Sequence, residues 1–130
     1  MQLLEPLHTE ENFKLKILEM ILIVNLLEAM LIRELKKNAI IGTSSFRREF
    51  QIKNIRKDLN CKLIRGNVDT RIKKLNDGLY DAIILSYAGI NSLKIVDQIS
   101  EIFSVEDIIP SAGQGVISLQ CREDDNKINS

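Results

Sequence analysis

Tryptophan is absent from this 130-residue sequence, aromatic residues make up 5% of it, and it has two cysteines and one histidine. Each scarcity removes a class of chemistry. Cys61 and Cys121 lie in apolar, strand-like runs without metal or redox spacing. Buried thiols in a reducing cytosol are therefore expected, rather than a disulfide scaffold or a thiolate metal site. His8 sits in a polar N-terminal segment with no Cys or carboxylate at ligand spacing, so it is given no role and no metal site is expected. Charge of one sign is not in excess, with Lys plus Arg and Asp plus Glu at 18 each. Any attraction for a charged partner has to be local.

A clean membrane span is lacking too. Leu15 to Leu35 is rich in strong helix formers and free of Gly and Pro, but Glu19, Asn25 and Glu28 interrupt it, which makes it a poor span. The polar region before it is not the positively charged start of a signal peptide. The expectation is a helix that needs burial on most sides, inside an atypical N-terminal segment of residues 1–37, with no membrane partner and a cytoplasmic location.

What is present centres on two turns. Ala39 to Ile41 is an apolar run ending at Gly42; Thr43, Ser44 and Ser45 follow, and Arg47 and Arg48 open a helix. The plan repeats: Cys61 to Ile64 is a short apolar strand, Arg65-Gly66-Asn67 a turn, and Asp69-Thr70-Arg71 the start of another helix. Helix N-termini leave unpaired N–H groups and carry the positive end of the helix dipole, so carboxylates and phosphates are welcome there. Arginine adds a planar fork for carboxylates, and glycine lets the backbone come close. Between Thr43 and Lys74 there are ten Lys or Arg against three Asp or Glu, so the positive charge is concentrated here. Ser or Thr before a helix is also ordinary capping, and adjacent arginines are often a solvated face. The pairing of two such turns favours one anion site.

The rest reads as regular α/β. Strand 39–42 leads to helix 45–58, with Phe46, Phe50, Ile52 and Ile55 as its apolar face; strand 61–64 leads to helix 68–77, stopped at Asn76-Asp77-Gly78. Strand 81–85 is a near-continuous apolar run, as a strand covered on both faces requires, and a helix over about 86–94 follows. Residues 95–109 mix an apolar, helix-like segment with an acidic turn at Glu106-Asp107, and a Gly-rich loop then enters a strand over 116–121. Alternating strands and helices with short connections predict a mostly parallel sheet flanked by helices, with ligands beyond the carboxyl ends of its strands.

Gly42-Thr-Ser-Ser-Phe-Arg-Arg48, Arg65-Gly-Asn-Val-Asp-Thr-Arg71, Leu75-Asn-Asp-Gly-Leu-Tyr-Asp-Ala-Ile-Ile-Leu85, Ala88-Gly89 and Pro110-Ser-Ala-Gly-Gln-Gly115 occur in that order and at compatible spacing. Together they resemble the central domain of the porphobilinogen deaminase (hydroxymethylbilane synthase) family, over residues 38–125, with 126–130 a polar tail. The resemblance implies a periplasmic-binding-protein-like α/β domain of a multi-domain enzyme, a monomer in the family. That enzyme is a transferase that joins porphobilinogen units head to tail into hydroxymethylbilane, with loss of ammonia, in haem biosynthesis. It implies a dipyrromethane cofactor, with Ser45, Arg47, Arg48, Arg65 and Arg71 binding the acetate and propionate groups of cofactor and substrate. Thr43, Ser44 and Gly66 would shape the turns, and Gln114 would lie near the cleft.

The same resemblance places the catalytic aspartate in the first domain and the cofactor's cysteine in the third. No catalytic residue is therefore expected in this chain, and Cys61 and Cys121 are not promoted to the anchor. Asp69 and Asp81 are expected to cap a helix and to be solvated at a strand end. The isolated chain, a fragment lacking domains 1 and 3, is expected to be inactive.

The family's Asp-Pro-Arg-Asp stretch is missing upstream, yet Lys16 to Met20 can be back-translated so that a neighbouring frame spells Lys-Asp-Pro-Arg-Asp. Residues before about 35 are accordingly expected to be read out of frame. The alternatives are a non-catalytic carboxylate- or phosphate-binding α/β module and, last, a nucleic-acid binder. The latter would have only Phe46 and Phe50 for stacking near the basic stretch, and both are expected in the core.

Overall fold

The computed structural model describes residues 20–24 and 31–113. The strand expected over 116–121, the tail, His8, Gln114 and Cys121 lie outside the described residues.

Five strands form one sheet in the order β3-β2-β4-β1-β5. They are β1 (Met20–Val24), β2 (Ile40–Gly42), β3 (Asn60–Lys62), β4 (Ala82–Ser86) and β5 (Glu101–Phe103). β2 pairs in parallel with both β3 and β4, Ile41 lying opposite Cys61 on one side and Ala82 on the other. β1 lies between β4 and β5 and is antiparallel to both. Two helices connect the parallel strands, α1 (Phe46–Ile55) and α2 (Val68–Asn76), and a third, α3 (Tyr87–Ser92), follows β4. The expected α/β sheet is present.

The strand order explains the two layers of core. The chain steps from β2 outward to β3 through α1, then back past β2 to β4 through α2, and right-handed crossovers put those two helices on opposite faces. β4 serves both: Ala82 and Ile84 join Ile41, Ile52 of α1, Leu59 and Phe103, while Ile83 and Leu85 join Ile64, Ile72 and Leu75 of α2 and Ile90 of α3. All four of these β4 residues are buried, which is why its sequence does not alternate in polarity.

Three expectations are corrected. The helix over 15–35 is not formed where that stretch is described: Met20–Val24 is a strand and Ile32–Glu34 a single 3-10 turn. An apolar run rich in Ile and Val suits a central strand as well as a buried helix, and the slot between β4 and β5 settles which. The helix-like segment within 95–109 is a 3-10 turn, Val96–Gln98, followed by β5. In α1, Ile52 is buried and Ile55 packs against the core, but Phe46 is 89% and Phe50 68% exposed. Those two phenylalanines, one turn apart, lie on the outer side of α1 rather than on its core face.

The amino edge of the parallel strands is tightly pinned. Arg56, the residue that ends α1, pairs with both carboxylate oxygens of Asp58 and donates from one terminal nitrogen to the carbonyls of Ile32 (3.2 Å) and Leu35 (2.6 Å). The Asp58 carboxyl is drawn down to about 2, chiefly by that Arg56 bond. Asp81 accepts from the backbone N–H of Ile40 at 2.7 Å and pairs with Lys36 at 2.6 Å. It is thus a strand-end clasp rather than merely a solvated carboxylate.

Candidate functional site

Both arginine turns lie at the carboxyl edge of the parallel strands. After β2, the buried Thr43 side chain accepts from the N–H of Ser45, and Ser45 in turn caps α1 by accepting from the N–H of Arg48 at 3.3 Å. The Ser44 hydroxyl crosses to the second turn and donates to the carbonyl of Ile64 at 2.8 Å. After β3, Asn67 caps α2 by accepting from the N–H of Thr70 at 2.9 Å. Asp69, expected to cap, sits in the first turn of α2 while Asn67 does the capping. Gly66 has φ +117°, and a Cβ there would lie 2.6 Å from Thr70 Cγ2, so this turn accepts no side chain without moving α2.

Between the turns is a cavity of about 260 Å³, lined by Arg48, Gly66, Asn67, Val68, Arg71, Leu85 and Ser86. Arg48 reaches it from α1 and Arg71 from α2. Arg71 is oriented by its own turn, its Nε donating to the carbonyl of Gly66 at 2.7 Å. Arg48 is held less well. One terminal nitrogen makes a long bond, 3.4 Å, to the carbonyl of Ile84. Its Nε is buried and has no hydrogen-bond partner among the described residues.

Burial, then the neighbouring charges of Arg47 and Arg71, pull the Arg48 guanidinium down to about 10. It stays charged at neutral pH, so the cavity wall carries two cations, one of which has a buried donor without a partner among the described residues. A buried donor left without a partner costs about 1–3 kcal/mol, and a carboxylate in the cavity would relieve that cost and the Arg–Arg repulsion together.

The site residues expected from sequence separate into groups. Arg48, Arg71 and Gly66 are brought together. Arg47 turns the other way, donating to the carbonyl of Ile109 and lining a second, larger hollow with Phe50, Gln51, Ile109 and Pro110. Arg65 is exposed at the rim, and its carbonyl accepts from Lys74 at 2.9 Å. Thr43, Ser44 and Ser45 spend their side chains on the turns. Asn67 and Ser86 also line the cavity, and both have a signal in the sequence. Each is a capping-type residue directly after an apolar strand, and Ser86 caps α3 by accepting from Gly89 N–H at 3.4 Å.

The family model for porphobilinogen deaminase, dipyromethane cofactor binding domain, matches residues 7–130. Among curated relatives, the porphobilinogen deaminase of Sulfurimonas denitrificans is 50% identical over 92 residues, covering 69% of this chain and 29% of its own. That of Geobacter metallireducens is 50% identical over 95 residues, covering 73% and 30%. The chain therefore spans about 30% of the length of the relatives it matches. It belongs to the porphobilinogen deaminase family.

Proposed function

We propose that this chain is the part of a porphobilinogen deaminase that grips the carboxylates of the dipyrromethane cofactor and of the growing pyrrole chain. The observation that carries the reading is Arg48: a charged guanidinium whose buried Nε has no partner among the described residues, lining one cavity with Arg71. At about 260 Å³ that cavity is below the roughly 300–1,000 Å³ of complete small-molecule pockets, which suits one carboxylate-bearing arm of a larger ligand.

The donor set fits the cofactor. Arg48 and Arg71 would take its acetate or propionate groups, and Gly66 would allow close approach. Arg65 at the rim, and Arg47 once released from Ile109, would take further carboxylates as the chain lengthens. Ser45, Thr43 and Ser44 hold the first turn in shape, and Gln114 is assigned to the cleft by resemblance alone. When bound, the cofactor supplies the pyrrole end onto which substrate is joined. This chain's residues hold and orient it, each charge-assisted bond contributing roughly 1.5–3 kcal/mol before desolvation is counted.

Proton transfer is assigned to residues outside this chain, so the chain alone is proposed to be inactive, and cytoplasmic like a pyrrole-handling enzyme. Family membership favours this reading over an unrelated effector module. That residues before about 35 are out of frame is proposed against a family match that reaches back to residue 7, and nucleotide sequencing across that boundary decides it. The binding reading is tested by calorimetric titration with porphobilinogen. Saturable binding that is lost in Arg48→Met and Arg71→Met supports it, and binding unaffected by both substitutions, or none, refutes it.

A further inference from the structure

The turn that carries Gly66 and leads to Arg71 is held in an unusual way. Between the end of β3 and the start of α2, the carbonyls of residues 63, 64, 65 and 66 each accept from a side chain. Tyr80 hydroxyl reaches Leu63 at 2.7 Å, Ser44 Oγ reaches Ile64 at 2.8 Å, Lys74 Nζ reaches Arg65 at 2.9 Å and Arg71 Nε reaches Gly66 at 2.7 Å. Among the described residues, none of the backbone bonds that organise the loops ends on these carbonyls. The donors come from the β2–α1 turn, from α2 twice and from the residues leading into β4.

A trans peptide is planar, so fixing one carbonyl also fixes the N–H of the next residue. Lys74 thereby sets the Gly66 N–H, and Arg71 sets that of Asn67; both residues line the cavity. Holding Gly66 also holds the acceptor that aims the Arg71 guanidinium. Tyr80 and Lys74 do not line the cavity themselves.

We infer that Tyr80 and Lys74 are positioning residues for the anion site, setting its affinity by holding the 63–66 carbonyls so that Gly66, Asn67 and Arg71 are pre-aimed at a carboxylate. This rests on the carboxylate reading proposed above. Rigid placement of donors before binding is what converts contacts into affinity. Loss of one such hydrogen bond corresponds to roughly a two- to tenfold weaker Kd.

The test compares the full chain with Tyr80→Phe, Lys74→Met and Lys74→Arg. It uses titration with porphobilinogen, amide hydrogen exchange at Gly66 and Asn67, and the urea midpoint as a check of folding. Tyr80→Phe and Lys74→Met are expected to weaken binding two- to tenfold and to speed exchange at those two amides, with Lys74→Arg restoring both. If the wild type binds and the folded variants bind equally well, or if exchange quickens without loss of affinity, the positioning role is overturned while the carboxylate reading stands. If the wild type does not bind, the carboxylate reading falls and takes this inference with it.

Discussion

The amino and carboxyl edges of the parallel strands treat charge in opposite ways. At the amino edge every charge described above has its partner: Arg56 closes on Asp58 and on carbonyls of the 3-10 turn and of Leu35 after it, and Asp81 closes on Lys36 and the Ile40 N–H. At the carboxyl edge Arg48 is half-buried without an acceptor on Nε among the described residues, and burial, then the charges of Arg47 and Arg71, lower its proton affinity. The contrast can be drawn on one helix. Arg56 ends α1, where the dipole favours a cation, and Arg48 sits in its first turn, where the dipole disfavours one. A cation placed against its helix dipole, beside a second cation and short of acceptors, costs stability that the fold alone gives no reason to spend.

If the amino edge is structural, breaking it should unfold the domain and leave the carboxyl edge's chemistry irrelevant. Arg56→Met is expected to have the largest effect, lowering unfolding free energy by about 2–4 kcal/mol in urea titration, because the Ile32 and Leu35 carbonyls lose their shared donor. Asp81→Ala comes next, at about 1–3 kcal/mol near neutral pH, since the Ile40 N–H is left without its acceptor.

The pH dependence of that loss sharpens the contrast. Burial alone would raise the Asp81 carboxyl, but the Ile40 N–H and Lys36 outweigh it and hold it below its ordinary value. Its stabilisation is therefore present above the unfolded value of about 4 and is lost as pH falls through the lower folded one. The gap between wild type and Asp81→Ala should close in acid, and a gap independent of pH would remove the charge from the explanation.

Arg48→Met is the smallest effect and the one of opposite sign. Removing a misplaced cation while keeping an unbranched side chain of similar reach should raise stability by roughly 0.5–2 kcal/mol. A clear loss of stability would place Arg48 with Arg56 as a structural residue.

The sequence showed the parallel half of the fold because β2, β3 and β4 each announce themselves by an apolar run closed by turn residues, and because Ser45 is a good cap. It hid β1, since the Met20–Val24 run carries no periodicity that separates a central strand from a buried helix. Phe46 and Phe50 shared a face as expected, but which face was set by Ile52 and its partners on the sheet.

The candidate site was partly legible for a similar reason. Arg47 and Arg48 are adjacent, yet successive helical residues point about 100° apart, so only one enters the cavity, and the sequence cannot say which. Tyr80 and Lys74 were invisible as site residues. Their work is a side-chain bond to a backbone carbonyl 17 and 9 positions away, which leaves no motif.

The most direct test is the denaturation midpoint of wild type and Arg48→Met, each with and without porphobilinogen. Crossing behaviour is expected: the wild type starts lower and rises with ligand, by about 2.7 kcal/mol at a hundredfold excess over Kd, while Arg48→Met starts higher and does not move. A wild type that ligand leaves unchanged, or two proteins that rise together, would contradict the claim that Arg48 is kept unpaired for a carboxylate.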